Sequence, residues 1–562
     1  MARDHTGLPE GTLRVVARLA DDHRKGTLSR REFLGMATAL GIGAFAAGRM
    51  AGDPAQAQTA PLPRSQGGTL RIQMEVRPVV DPRLLDFSES ANITRGLLEN
   101  LVSYTTRGTF EGRLLERWEA NAEATEYRLF VRPGVTWNTG EPFTATDVAA
   151  NFAAWTDLSV TGNSMATRLE ALIDPDTGTA REGAIRIEGP LELRVILSRP
   201  DITLIPSLAD YPAAVQRADL VGTNPAAHNI GTGAYRIVSA EPGVGAVLER
   251  NADHTYWGEA TLDRIEFLDL GPDPLRWRAA AEEGAFDMTY RTEPGFIQGF
   301  SALGWAEHSV QTAFTVVIRP NQLAVVDGIT PYADLRVRRA LALAVDNSIC
   351  LELGINGRGT LAENHHVCPV QPDYAHLPPI RTDPEEARRL LVEAGMQDFE
   401  HELVSIDDTW RRATADSVAA QLLEAGIKVR RKIVPRAEFD ANWKTYPFST
   451  TNWNHRALGV QVMALAYRSG AVWNETGFSN PEFDRLLDRA LTIADADTRI
   501  DTMARLQQIL QTDGVIIQPF WQSLYRHSRA GVLGAAMNPK NQIDPHDLGW
   551  HRLPEQAATA AP

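Results

Sequence analysis

Between Asp383 and Val429 the sequence runs helix, glycine, helix, glycine, strand, and this cadence constrains the fold more than any other feature of the chain. Asp383-Pro384-Glu385-Glu386 has the form of a helix start: Asp caps, Pro takes the first helical position, and Glu386 can complete a capping box. Leu390, Leu391 and Ala394 make the apolar face and Gly395 ends the helix. The pattern recurs from Val418 to Gly426, and the strand Ile427-Lys428-Val429 follows at once. Helices that run directly into strands build αβ units, so an α/β fold with mixed sheets is expected.

Other segments fit this class. Leu70, Ile72 and Met74 alternate as in a half-buried strand, and Tyr127 to Arg132 does the same. Pro133-Gly134 marks a turn, after which Val135-Thr136-Trp137 is expected to resume the strand. Leu97 to Val102 reads as a helix end. Thr146 reads as the cap of a helix whose face is Val148, Phe152 and Trp155. Residues 185–197 read as a hairpin, 481–493 and 497–511 as amphipathic helices, and the glycines 354, 357 and 359 as a loop.

The chain has 562 residues, enough for two to four domains, and a net charge of −15. An acidic balance argues against nucleic acid as a partner, since that footprint is basic. Two cysteines, Cys350 and Cys368, exclude a disulfide scaffold and a four-cysteine zinc site. They either pair with each other or stay reduced and buried.

The first sixty residues have the order of an export signal. Ser29-Arg30-Arg31-Glu32-Phe33-Leu34 matches the twin-arginine pattern, a moderately apolar run covers Met36 to Ala47, and Ala55-Gln56-Ala57 offers a cleavage site. Residues 1–57 are therefore expected to be a twin-arginine signal peptide. The mature chain would carry 48 basic and 65 acidic residues, a net of −17.

Catalytic signatures are absent from the sequence: it has no G-x-S-x-G elbow, no Walker A loop and no H-E-x-x-H. His365-His366-Val367-Cys368 is the one metal-like cluster, with His376 and His455 as extras. Adjacent histidines point in different directions in any regular element, so loop histidines bonding to backbone or to an organic ligand are the alternative.

Six blocks in order then carry a family resemblance. They are Gly67-Gly68-Thr69-Leu70-Arg71-Ile72 with Leu97-Leu98-Glu99-Asn100-Leu101-Val102; Leu115-Glu116-Arg117-Trp118-Glu119; Tyr127 to Trp137 continuing through Gly140-Glu141-Pro142-Phe143 to Val148; Gly231-Thr232-Gly233-Ala234-Tyr235 with Asn251 to Gly258; Asp334 to Asp346; and Asn480-Pro481-Glu482-Phe483-Asp484. Over residues 66–550 the chain resembles the extracytoplasmic solute-binding proteins, family 5, of ATP-binding-cassette (ABC) importers, the peptide/nickel/oligopeptide class. The family usually has Pro where Ala234 stands. Arg336 and Arg338, within the fifth block, are expected to pair with acidic neighbours on a helix face.

The resemblance implies a two-lobe periplasmic binding protein fold with an extra subdomain and a hinge of two chain crossings. Lobe I would be 66–315 with the added subdomain at about 105–235, lobe II 316–515, and 516–552 the return to lobe I. It implies a non-enzymatic, monomeric periplasmic receptor without cofactor. Such a receptor captures a small organic solute, peptide-like or amino-acid-derived and in one reading anionic, and delivers it to an inner-membrane permease with its ATPase. Nickel or metal-chelate binding through His365, His366 or His455 is the alternative, and an exported hydrolase the remote one.

Peptide-binding members carry Trp-x-x-Asp, whose acid meets the peptide ammonium. The matching stretch here is Trp453-Asn454-His455-Arg456, with a base in place of the acid. Upstream, where some dipeptide binders place an arginine, the chain reads Ile406-Asp407-Asp408-Thr409-Trp410. Acid and base look exchanged. Either Arg456 meets a ligand anion, or it closes an internal salt bridge, for example to Glu475. Trp453, Asn454, His455, Arg456, Asp407, Trp410, His365, His366 and Tyr290 are the candidate ligand contacts, with Trp473 and Tyr467 as further aromatics nearby.

Overall fold

The computed structural model describes residues 10–25, 30–40, 63–121, 123–371, 373–493 and 496–552. The chain forms two compact units. The first takes residues up to Thr292, Phe296–Ser309 and the stretch from Tyr525; the second takes Glu293–Gly295 and Val310–Leu524. The chain leaves the first unit within the long strand Ala306–Pro320 and returns within Phe520–Ser528.

In the first unit the strands Tyr235–Glu241, Gly245–Arg250 and Arg264–Leu268 run antiparallel in that order. Thr69–Gln73 then adds in parallel, Leu70 opposite Ile265, and Met288–Thr289 follows in parallel on its other side. Leu70, Ile72, Leu248, Ile265 and Phe267 are fully buried in one core, which accounts for the alternation read in the first strand. A second, antiparallel sheet orders Leu115–Ala120, Glu126–Val131, Glu192–Ile196 and Ile185–Gly189, the last two being the expected hairpin. The helix Ala145–Trp155 packs on it. Its cap is Thr144 rather than Thr146, in a capping box with Asp147.

Leu97–Val102 is not a helix end. The helix there is Ser88–Thr94; beyond it the Leu97 and Leu98 N–H groups bond to the Thr94 carbonyl, and Val102 begins a strand. Val135–Trp137 does not resume a strand either; Thr136 makes only an isolated bridge to Pro142. The sequence grammar around Glu99 has a physical basis. Its buried carboxylate accepts from Thr232 at 2.9 Å, Trp257 at 3.0 Å, Tyr256 at 2.9 Å and Arg113 Nε at 2.8 Å. A Cβ at Gly231 or Gly233 would collide with the carbonyls of Leu97 or Gly96. Two of the resemblance blocks are thus one buried joint.

The second unit orders Ala306–Pro320, Phe448–Trp453, His401–Ile406 and Val429–Val434. The first pair is antiparallel and the others parallel. The helix Thr409–Glu424 crosses between the two parallel strands, as such a connection must, and Gly426 ends it at φ +79°. Asp383 caps Pro384–Glu393, but Glu386 pairs with Arg389 instead of closing the box. Gly354 lies inside the helix Asn347–Ile355, not in a loop, packed against Thr414. Pro481–Leu491 and Ala496–Thr512 are the late helices. Arg336 pairs with Asp334 at 2.6 Å. Arg338 instead donates to the carbonyls of Tyr332, Ala333 and Asp513.

Cys350 and Cys368 form no disulfide and are buried in different surroundings. The sulfur of Cys350 meets Ser417 and Gln421, and burial raises its thiol pKa to about 11; Cys368 donates to Thr312 O at 3.6 Å. Of residues 1–57, expected to be a signal peptide, Arg30–Ala39 is a helix on the first unit, where Thr38 accepts from the Phe110 N–H at 2.8 Å and Ala39 O from the Trp118 indole at 3.0 Å. Ala55-Gln56-Ala57 and the end of the apolar run lie outside the described residues. Among the described residues no helix is long and apolar enough to cross a membrane.

Candidate functional site

The second unit gathers much of the expected site around one imidazole. Phe448–Trp453 is held against the long strand with Thr315 opposite Trp453, so the loop 454–458 begins at a fixed point. It ends at the helix Gly459–Ala466, whose first N–H groups bond to Asp373 at 2.7 and 2.8 Å. On the facing loop His366 sits at φ +59°, a left-handed conformation uncommon for a residue with a side chain. Gln518 holds it there by accepting from the His366 N–H at 3.0 Å.

Trp453 stands edge-on to His366 at 5.4 Å and to Trp473 at 5.9 Å between ring centres. His366 Nδ1 bonds to the Tyr467 hydroxyl at 2.7 Å, while its Nε2 is buried and makes no hydrogen bond. Burial, then the charge of Arg456 and of His365, pulls the His366 pKa down to about 3, so the ring is neutral at physiological pH. Burial pushes the Tyr467 phenol well up, and the nearby Glu475 adds to it.

Arg456 is 2% exposed. It donates to the carbonyls of His455 at 3.1 Å and Asn454 at 3.4 Å, and its guanidinium lies 5.7 Å from the Trp473 ring centre. The internal bridge to Glu475 is not what forms. The Glu475 carboxylate binds Arg319 at 2.8 Å and the Trp453 indole at 2.7 Å. Arg319 is not part of any sequence motif, although a charged residue ending the largely apolar stretch Phe314–Ile318 marks a buried cation in need of an anion.

The other candidates are placed differently. His455 Nδ1 accepts from the Ala313 N–H at 3.0 Å. His365 is engaged at both nitrogens, with Glu363 at 3.1 Å and the Val367 N–H at 3.3 Å. The three histidines of the metal alternative therefore do not converge. Among the described residues no group of three His, Cys, Asp or Glu side chains is arranged to hold a metal ion. Trp410 is buried against Phe314. Asp407 is exposed and pairs with Arg412 at 3.1 Å. Tyr290 belongs to the first unit, where its hydroxyl bonds to Ser88 at 2.8 Å. What His366, Trp453, Trp473, Tyr467 and Arg456 offer is recognition: indole and phenol faces, one unused imidazole nitrogen and a guanidinium.

Comparison with known proteins agrees with this character. Periplasmic oligopeptide-binding protein OppA of Salmonella typhimurium is 24% identical over 481 residues, 79% of this chain and 84% of that protein. The crystal structure of Haemophilus influenzae OppA in complex with the peptide RPPGFSPFR superposes with a TM-score of 0.78 at 18% identity, covering 87% of this chain and 100% of that one. The binding protein AgaA of A. tumefaciens R10, in complex with agropinic acid, superposes with a TM-score of 0.76 at 17% identity, covering 86% and 99%. The fold is that of the two-lobe periplasmic binding proteins. The sequence model of one family, described as bacterial extracellular solute-binding proteins, family 5 Middle, matches residues 109–474, and this chain belongs to that family.

Proposed function

We propose that the chain is the substrate-binding component of an ABC importer, capturing a small solute outside the cytoplasmic membrane and passing it to a membrane permease with its ATPase. The family match across residues 109–474 carries this reading. The solute we favour is peptide-like or amino-acid-derived and carries an anionic group. Arg456 supports that choice, standing where the peptide-binding pattern has an aspartate, buried beside Trp473. So does the likeness to a protein that binds agropinic acid. Capture is by two lobes, 66–315 with 516–552 and 316–515, closing on the solute. Closure removes the solute from water, so each polar group must find a partner, which gives selectivity. The protein acts as a monomer, performs no chemistry on the solute, and works in the periplasm.

Mass spectrometry of molecules released from the purified, exported protein tests the ligand class. An acidic peptide or amino-acid conjugate is expected; a solute without an anionic group would overturn the class. Export is assigned to the twin-arginine route through Arg30 and Arg31. Replacing both by Lys should leave precursor in the cytoplasm, and an unchanged periplasmic yield would remove that assignment.

A further inference from the structure

Among the described residues several buried arginines meet carboxylates, and Arg526, which does not, points to a ligand. Arg168 pairs with Asp210 at 2.9 Å, Arg319 with Glu475 at 2.8 Å and Arg499 with Asp373 at 3.5 Å. Arg526, 1% exposed, has only carbonyls: Tyr290 O from its Nε at 3.1 Å and Ala536 O from NH1 at 3.3 Å. Its NH2 is buried and makes no hydrogen bond. A guanidinium kept out of water without a directly bonded carboxylate is costly, so a fold that retains one needs a reason.

The surroundings supply one. Arg95, half-buried, is a second guanidinium without a carboxylate; it donates to Asn100 Oδ1 at 3.3 Å and its Nε makes no hydrogen bond. Asn92, three residues before Arg95, donates to Asn541 O at 3.0 Å and accepts from the Ile543 N–H at 2.9 Å, which holds the Arg95 segment against the one that carries Asp544; Tyr290 and Asp544 act electrostatically on both cations. Asp544 is the one acid acting on both, and it already accepts from Gln542 at 2.5 Å. Tyr290 and Ser88 add a hydroxyl pair at 2.8 Å. All of these residues belong to the first unit.

We propose that Arg526 and Arg95, with the hydroxyls of Tyr290 and Ser88, form a carboxylate-recognition subsite in the first unit. A planar guanidinium fork with an unused N–H matches a carboxylate oxygen pair, and hydroxyl donors complete it. The proposal rests on the solute-capture reading, since the carboxylate is taken to be the solute's.

The test uses trialanine, succinate and L-glutamate against trialanine amide, succinamide and L-glutamine, at matched ionic strength, followed by thermal unfolding and calorimetry of the exported protein. Wild type should be stabilised by at least one acid and not by its amide. Arg526→Met should weaken that acid at least about thirtyfold, as loss of one partner of a buried charge pair does. Its melting temperature without ligand should hold or rise, because an apolar side chain replaces a buried charge that no carboxylate bonds directly. If Arg526→Met does not fold, Arg95→Met serves and should weaken the same acid at least about tenfold. An acid response unchanged in the variant, or no acid preference in wild type, overturns the subsite. A solute that co-purifies with wild type and binds Arg526→Met equally well overturns the subsite and leaves the importer reading intact. Absence of any bound solute, together with no response to the probes, counts against both.

Discussion

Arg319 and Glu475, 156 residues apart in sequence, form an ion pair 2.8 Å long with side chains 0% and 3% exposed. The other oxygen of Glu475 takes the indole N–H of Trp453. One carboxylate thus fixes both a buried cation and the aromatic wall of the candidate site. Arg319 also donates to the carbonyls of Tyr446, Trp443 and Glu475, so its guanidinium ties the end of the long strand to two loops.

Glu475→Ala should therefore be among the costlier substitutions in the second unit. It leaves Arg319 buried without an anion and Trp453 without its acceptor, a loss of about 3–5 kcal/mol. Urea unfolding measures it. The double variant Arg319→Met with Glu475→Leu should recover much of that loss, because removing both charges removes the desolvation penalty. A double variant no more stable than Glu475→Ala would show that the pair acts through something other than mutual compensation.

Acid should destabilise the protein well before its surface carboxylates titrate. Burial holds His366 at a pKa of about 3, and His401 and His527 at about 4. His401 is packed among Tyr332, Phe399 and Phe448, and His527 bonds to Thr292 and Ser301. Each is neutral when folded and titrates near about 6.5 when unfolded, so below that pH the unfolded chain binds more protons. The stability is whole above about pH 6.5 and falls toward pH 4, by at most about 1.4 kcal/mol per pH unit for each histidine. His366→Gln keeps a polar partner for Tyr467 and should flatten the slope by up to one proton. An identical slope would mean that His366 is protonated in the folded state.

Much of the second unit was legible in its sequence, and the reason is local. Asp383-Pro384 and Gly395, or the Gly426 that ends its helix at φ +79°, encode element ends through capping and backbone sterics within a few residues. Val135–Trp137 was misread because an apolar pattern cannot show that no neighbouring strand is present to pair with it; only the Thr136 bridge to Pro142 forms. Of the candidate site, the grouping of side chains was legible in part. Trp453, His366 and Arg456 were singled out by motif, and the structure brings them together. Arg319, Gln518 and Asp373, which hold that group in place, come from distant segments joined only by folding. Asp407 was picked for its sequence neighbourhood and instead is an exposed partner of Arg412.

The joint around Glu99 should be sensitive to a single methyl group. At Gly233 a Cβ would strike the Gly96 carbonyl, which belongs to the segment that positions Glu99. Gly233→Ala should cost about 1–3 kcal/mol by overpacking. Gly189→Ala, at a position with nothing within 4 Å of the added carbon, is the control and should stay within about 0.5 kcal/mol of wild type. Equal melting temperatures for the two variants would mean the joint yields to accommodate the methyl.

Arg456 gives the sharpest test of the proposal that the second unit recognises an anionic solute. Its guanidinium lies over Trp473 and bonds to the carbonyls of its own loop, while Glu475 is taken by Arg319. If the solute brings an anion to it, Arg456→Ala removes a charge-assisted contact in a closed site. Truncation of one partner of a buried charged pair costs about 2–5 kcal/mol, so affinity for the co-purified solute should fall at least about thirtyfold. Arg456→Lys should restore part of it, since a point charge cannot reproduce the planar fork or its stacking on an indole. The free protein should lose little stability in either variant, in contrast to Glu475→Ala. Calorimetry with the released solute and thermal melts of the free protein separate the outcomes. Binding within about twofold of wild type, together with a lowered melting temperature, would make Arg456 a support of the 454–458 loop rather than an anion clamp.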